Sequence, residues 1–200
     1  MKGKKLLGSF AVLGAAASVA GLGTFASFTS STSASQSIAS GTVSITLGAS
    51  GPANRLTVGA TNLVPGDTIQ RAVDLVNNGS ASADNLSSIT LTTSATPSSL
   101  LDTDATNGLQ MVIDKCSVAW TEAGPPYTYT CGGSTLTVLA SRAVIGSTLA
   151  LLNLGSTAAG ATDHLRVTLT LPGAAGNTFQ NQSSTVSYAF TGTQRTATNK

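Results

Sequence analysis

The segment Leu63–Ser80 constrains the fold of this chain more than any other stretch. Near its start, Pro65, Gly66 and Asp67 predict a tight turn, because proline fixes φ, glycine accepts positive φ and aspartate bonds to nearby backbone. Apolar and polar side chains then alternate with period 2, which is the pattern of a half-buried strand. The apolar face of that strand is formed by Ile69, Val73 and Leu75. A second turn signal, Asn77–Gly79, ends the strand, so the segment predicts an all-β domain of short strands.

The same alternation recurs along the 200-residue chain. It predicts further strands at Val43–Leu47, Leu56–Val58, Ile89–Leu91, Leu109–Cys116 continuing to Val118 and Trp120, Tyr127–Cys131, Leu136–Val138, Leu165–Leu171 and Val186–Phe190. The apolar run Ala143–Leu154 is either a buried strand or a short helix, because its periodicity does not decide between them. About nine strands at these spacings predict a single jelly-roll-like β-sandwich, with a barrel as the alternative.

Composition narrows the function classes. Only 9% of the residues are charged, and Ser and Thr dominate the polar positions, which is more typical of exported β-proteins than of cytosolic enzymes. The formal net charge of +2 includes three lysines among the first five residues, and the other basic residues are scattered singly. No basic patch can neutralise several phosphates, so we expect no nucleic-acid partner.

The N-terminus has the pattern of a signal peptide. A basic start, Met1–Lys5, precedes the apolar run Leu6–Gly23. Small side chains at Thr24 and Ala26 then suit a cut between Ala26 and Ser27. We therefore expect a protein that is secreted to the extracellular space or the cell surface, and that contacts the membrane only through the uncleaved signal peptide.

Two alternatives to this processing stay open, a cut after Ala20 and a retained membrane anchor, since a run of about 17–25 apolar residues can span a bilayer. The predicted organisation is a signal peptide at 1–26, a flexible segment at 27–40, the sandwich domain at 41–196 and a tail at 197–200. Segment 27–40 is mostly Ser, Thr and Ala, with Phe28 and Ile38 as its only sizeable apolar side chains. It is either a donor strand for another molecule or a disordered spacer.

The two cysteines, Cys116 and Cys131, flank the turn signal Glu122–Pro126. In an exported protein with two cysteines, a disulfide between them is the default pairing. We predict that they lie on opposing strands of one hairpin and close a loop of about 15 residues. Two cysteines and one histidine do not complete a structural zinc site.

Few residues suggest other chemistry. Asp102, Asp104 and Asn107 are the candidate metal ligands, since their oxygens suit calcium, but they lack EF-hand spacing and a closing glutamate. An Asp/Asn-rich surface turn or short helical cap is the preferred interpretation. His164, beside Asp163, lies in no H-E-x-x-H motif, and no serine lies in G-x-S-x-G. We predict no catalytic residue and no cofactor, although a Ser-His-Asp triad built on His164 stays open because geometry defines triads.

The order of several short motifs resembles the TasA/camelysin family of secreted bacterial proteins. The motifs are Gly23–Phe28, Ala39–Ile45, Leu63–Asp67, Asn77–Ser80, Leu169–Pro172 and Phe190–Arg195. The likeness covers the two ends of the chain and is poor between residues 94 and 160. The resemblance implies a jelly-roll sandwich, processing by a SipW-type signal peptidase, and membership of a group that includes fibre-forming biofilm matrix proteins.

Camelysins in this group are described as metallopeptidases, but here the single histidine and the missing zinc motif leave no evident metal site. The chain also departs from the matrix proteins in its cysteine pair and its N-terminal segment poor in apolar residues. Our first hypothesis is a secreted, non-catalytic structural protein that associates with itself or with other matrix proteins, forming fibres by strand exchange. The alternatives are a camelysin-like surface metallopeptidase and a non-catalytic surface binding module.

Overall fold

A computed structural model describes residues 44–57 and 62–196 of the chain. The predictions for the signal peptide, the cut between Ala26 and Ser27, segment 27–40, Val43, Val58 and the tail at 197–200 lie outside the described residues. In the part that is described, no helix has the length and apolarity needed to cross a membrane.

The described chain is nearly all β, which confirms the predicted fold class. Its strands are β1 (Ile45–Leu47), β2 (Thr68–Asn77), β3 (Leu86–Ala95), β4 (Gln110–Cys116), β5 (Thr121–Ala123), β6 (Thr128–Thr130), β7 (Thr135–Ala143), β8 (Gly146–Ala150), β9 (Thr162–Thr170) and β10 (Val186–Gln194). A short helix, α1 (Leu100–Thr103), and two 3₁₀ turns, Ser82–Asp84 and Asn177–Phe179, complete the elements.

The strands form three antiparallel sheets. A five-stranded sheet has the order β1-β2-β9-β4-β7, a three-stranded sheet has the order β10-β3-β8, and β5 and β6 form a separate hairpin. The inner faces of the two larger sheets supply one apolar core, as the sandwich prediction requires. The alternation is clear in β9, where Leu165 and Val167 are buried while His164 and Arg166 face outward and are only half-buried.

The segment Leu63–Ser80 folds as predicted, as a turn, a strand and a second turn. The turn before β2 is closed by two hydrogen bonds, from Asp67 N to Val64 O at 3.0 Å and from Val64 N to Asp67 Oδ2 at 2.8 Å. Gly66 has a φ of 97°, a conformation that a side chain would disfavour. At the other end, buried Asn77 accepts a hydrogen bond from Gly79 N at 2.9 Å.

Two strand predictions and one turn prediction need correction. Leu56 lies in a turn rather than a strand. The strand that contains Cys116 ends there and does not continue to Trp120, because the chain bends at Ser117 and Val118, where Val118 is 47% exposed. Glu122 belongs to β5, so the predicted turn at Glu122–Pro126 lies instead at residues 124–127. The open question at Ala143–Leu154 is answered by strand β8.

Candidate functional site

The described part of the sandwich has a groove between its two sheets at β1 and β10. Both strands are edges, β1 of the five-stranded sheet and β10 of the three-stranded sheet. We call this feature the edge groove; it has a volume of about 170 Å³ and is lined by Ile45, Thr46, Leu47, Leu75, Tyr188 and Phe190. No side chain in this lining is charged, so the groove suits an apolar occupant.

The apolar residues of β10 are less covered than those of the central strands. Val186, Tyr188 and Phe190 point toward the core but remain half-buried, whereas Leu165 and Val167 on β9 are 0% and 1% exposed. In the described chain, β10 is paired on one side only, with β3. A strand edge of this kind presents unpaired N–H and C=O groups to another segment.

The two sheets approach closely at one end of the groove. A Cβ atom placed on Gly192 of β10 would lie 2.9 Å from Leu86 Cδ1 and 3.4 Å from Ile45 Cγ2. On the opposite side of the sandwich, Leu152 N bonds Val138 O at 3.0 Å, which joins the chain after β8 to β7. The sandwich is therefore tied together by backbone on the β7 side and open at the edge groove.

The disulfide between Cys116 and Cys131 is present, with the two Cα atoms 5.7 Å apart. Its predicted placement on opposing strands of one hairpin is wrong. Cys116 is the last residue of β4, and Cys131 follows β6, whose hairpin partner is β5. The bond therefore ties the β5–β6 hairpin to the five-stranded sheet instead of closing the hairpin itself.

The β5–β6 hairpin packs on the outer face of that sheet. Ala72, Cys116, Trp120 and Tyr129 form a small buried cluster there. Glu122 accepts hydrogen bonds from Arg55 Nε at 2.9 Å and from the Tyr129 hydroxyl at 2.9 Å. Because Arg55 and then Tyr129 stabilise the carboxylate, the pKa of Glu122 is lowered despite partial burial. These contacts make the hairpin a fixed part of the domain.

His164 and Asp163 were neighbours in the sequence but face opposite sides of β9. His164 Nδ1 lies 2.7 Å from Asp74 Oδ1 on the outer face, so its carboxylate partner is Asp74. Trp120 Nε1 donates to the His164 carbonyl oxygen at 2.9 Å. Among the described residues, no serine hydroxyl is hydrogen-bonded to His164. The histidine therefore belongs to the packing of the outer face.

Asp163 is buried on the inner side, beside a pocket of about 330 Å³ where β4 ends and β9 begins. Its carboxylate accepts hydrogen bonds from Gly155 N at 3.0 Å, Ser156 N at 2.7 Å and Lys115 Nζ at 3.0 Å. Burial alone would raise the pKa of Asp163, but the backbone and lysine hydrogen bonds together lower it. The carboxylate anchors the 155–156 loop to the end of the sandwich.

Asp102 and Asp104, two of the candidate metal ligands, use their carboxylates to cap a helix and to close a turn. Asp102 accepts hydrogen bonds from Ser99 N at 2.7 Å, Ser98 Oγ at 2.6 Å and Ser184 Oγ, so it caps α1 and holds the loop before β10. Burial acts to raise the pKa of Asp102, but these hydrogen bonds lower it. Asp104 accepts from the backbone N–H of Asn107, as part of a surface turn, at 2.9 Å.

Every acidic, histidine and cysteine side chain of the sequence, and so every usual metal ligand, lies in the described part of the chain. The sequence has eight Asp and Glu residues, one His and two Cys, and all lie within 44–57 or 62–196. They are Asp67, Asp74, Asp84, Asp102, Asp104, Asp114, Asp163, Glu122, His164, Cys116 and Cys131. In the described chain no three of them come together in a geometry that could hold a metal ion.

The fold and the groove define an all-β sandwich protein with an open strand edge. The family model described as "Camelysin metallo-endopeptidase" matches residues 3–199, so the chain belongs to this family and the resemblance to TasA and camelysin is confirmed. A comparison with curated proteins finds no match.

The family description implies a metal ion, and the donor set of this chain does not fit one. A catalytic zinc site takes three protein ligands, usually from His, Asp, Glu or Cys. Here His164 is paired with Asp74 and both cysteines share the disulfide. Within residues 44–57 and 62–196, no third ligand adjoins the histidine. The described residues therefore do not supply the ligands that a catalytic metal requires.

Sequence reasoning missed the edge groove. The alternation of Val186, Tyr188 and Phe190 identified a strand but not its place at the edge of a sheet, because strand order depends on long-range pairing. One local signal was available for β9: adjacent residues of a strand face opposite sides, which separates Asp163 from His164.

Proposed function

We propose that this chain is a secreted structural protein of the bacterial cell surface or extracellular matrix, and that it assembles by strand addition. In this proposal, segment 27–40 of one molecule lies against β10 of the next and places an apolar side chain in the edge groove. Membership of the camelysin family supports a surface or matrix protein of this kind. The edge groove is the observation that carries the assembly step.

The chemistry of the segment matches the groove. Residues 27–40 carry no charged side chain and no proline, so nothing in them opposes pairing with a strand edge. The groove lining is also free of charged side chains. One apolar anchor contributes about 1.5–3 kcal/mol when fully buried, and each backbone hydrogen bond adds about 0.5–1.5 kcal/mol net. Several backbone bonds along β10 are therefore needed for a stable contact.

Strand addition between a segment and a groove joins two different surfaces. A contact of this heterologous type continues from molecule to molecule unless its rotation closes a ring. We therefore expect filaments rather than symmetric dimers. The competing interpretation, a surface metallopeptidase, is favoured by the family description alone, whereas the donor geometry of this chain opposes it.

The test uses the secreted protein, with its N-terminus determined by sequencing and its assembly followed by electron microscopy and sedimentation. Deletion of residues 27–40 should leave a folded monomer. Leu47→Asp, which places a charge at the 38%-exposed rim of the groove, should also prevent assembly. Val64→Asp is the matched control, since Val64 is 58% exposed and lies outside the groove lining.

Two results would overturn the proposal. One is a full-length secreted protein that stays monomeric at high concentration. The other is a deletion variant that forms the same filaments as the parent. Circular dichroism of each variant establishes that a loss of assembly is not a loss of fold.

A further inference from the structure

Tyr188 introduces one polar group into an otherwise apolar part of the groove. Its ring packs against the core beside Phe190, and its side chain lines the groove. No hydrogen bond joins its hydroxyl to another of the described residues, and this oxygen is not among the fully buried side-chain atoms that lack a partner, so it remains open to water. Burial raises the pKa of Tyr188 to about 12, against the opposing charge of Arg71, so the phenol is neutral at ordinary pH.

A neutral phenol in an apolar groove discriminates between occupants. It can donate a hydrogen bond to an oxygen and accept one from a hydroxyl or an amide. An all-aliphatic occupant would cover the hydroxyl without replacing its bond to water, and an unsatisfied buried hydroxyl is destabilising. A charged occupant would lose its own hydration in a lining that offers no counter-charge.

We propose that Tyr188 is a specificity-determining residue of the edge groove, which selects an uncharged strand carrying one large apolar side chain next to a Ser or Thr hydroxyl. This proposal rests on the proposed function and names the kind of strand that the groove accepts. The Tyr188 hydroxyl bonds the occupant's hydroxyl, while Leu47, Leu75 and Phe190 surround its apolar side chain.

Segment 27–40 has this pattern. Nine of its fourteen residues are Ser or Thr, and its two large apolar residues are Phe28 and Ile38. Side chains two positions apart on a strand share a face, which places Ser30 beside Phe28 and Ser40 beside Ile38. In an extended segment, Phe28 and Ile38 would each be followed on the same face by a serine hydroxyl. Either one could therefore place a large apolar side chain in the groove and a hydroxyl next to Tyr188.

The first test compares Tyr188→Phe with Tyr127→Phe in the full secreted chain. The first variant removes only the hydroxyl in the groove, and the second removes a hydroxyl in the turn of the β5–β6 hairpin. Tyr188→Phe should raise the concentration for half-maximal assembly about two- to tenfold, the effect of one hydrogen bond. Tyr127→Phe should leave it unchanged. Equal values for Tyr188→Phe and the parent, or an equal shift in both variants, would overturn the inference.

A second test measures the pairing directly. A synthetic peptide of residues 27–40 should inhibit assembly of the parent more strongly than a peptide with Ser30→Ala and Ser40→Ala. With Tyr188→Phe protein the two peptides should be equally potent, because the partner of the hydroxyl is gone. A difference that persists in the variant contradicts the assignment. If deletion of 27–40 prevents assembly while these hydroxyl tests are negative, the proposed function stands and the role of Tyr188 is wrong; if the deletion variant assembles normally, both fail.

Discussion

Replacing Asp163 by asparagine tests how much the hydrogen bonds of this buried carboxylate stabilise the end of the sandwich. The carboxylate is 4% exposed and accepts hydrogen bonds from two backbone amides and from Lys115. Asparagine keeps the shape of the side chain but removes its charge. Its NH₂ group would also point at one of the N–H donors that now bond the carboxylate, so two donors would face each other. Hydrogen bonds to charged groups contribute about 1.5–3 kcal/mol each, and Lys115 would lose its partner while 18% exposed. We expect a loss of about 3 kcal/mol of unfolding free energy.

Urea denaturation with the disulfide intact measures this loss. With a slope of about 1–3 kcal/mol per molar urea, a loss of about 3 kcal/mol should lower the midpoint by about 1–3 M. Asp104→Asn is the control, because that carboxylate only closes a surface turn in which asparagine is equally suitable. Adding Lys115→Met to the Asp163→Asn variant should recover part of the stability, since it removes the unpaired ammonium.

The difference in unfolding free energy between the parent and Asp163→Asn should depend on pH. Because the folded state lowers the pKa of Asp163, its stabilisation is complete above the unfolded value of about 3.9 and is lost as pH falls through the folded pKa. The stability difference between parent and variant should therefore be constant near neutrality and shrink in acid. Equal midpoints at neutral pH, or a difference that persists unchanged at pH 2, would refute the role of this carboxylate.

Three further outcomes are expected. Cys131→Ser should lower the unfolding free energy by about 3 kcal/mol, measured in urea, and thiol labelling of the denatured, unreduced parent should find no free cysteine. Thr93→Val should cost about 1–3 kcal/mol, because Thr93 Oγ1 bonds Val144 O at 2.6 Å and Gly146 N at 2.9 Å; Thr90→Val on the same strand is the control. Chelation with EDTA should leave the thermal midpoint unchanged, and a zinc-dependent rise would contradict the ligand inventory.

The strands that sequence predicts best are those with one fully buried face. Leu165 and Val167 alternate with polar residues, and the turn before β2 has residues that only suit a turn, so both follow from local rules. The short strands behave differently. Leu56 and Val118 are apolar residues without strand structure. Leu56 N turns back to bond the side chain of Asn54 at 3.2 Å, and Val118 lies in a bend where its side chain is 47% exposed.

The chemistry of the outer face depends on distant pairings. Asp74 and His164 are 90 positions apart in the sequence, and Arg55 and Glu122 are 67 apart. No local pattern predicts such contacts, since they follow from the neighbouring positions of β2 and β9 and from the docking of the β5–β6 hairpin. The disulfide pair was predictable because the chain has only two cysteines, but its placement between sheet and hairpin was not.

The shape of the sandwich edge limits what an added strand can do. β1 is three residues long, and beyond it the loop bonds β2 directly, through Arg55 N to Ala72 O at 2.9 Å and Asp74 N to Ala53 O at 2.8 Å. The edge groove is therefore short and has room for about one large side chain, whereas β10 offers an edge of nine residues. An occupant must gain most of its affinity from backbone pairing along β10, with the groove fixing its register. The fourteen residues of segment 27–40 are enough to pair along the whole of β10. Because that pairing supplies most of the affinity, one apolar anchor beside a hydroxyl is sufficient to set the register of the added strand.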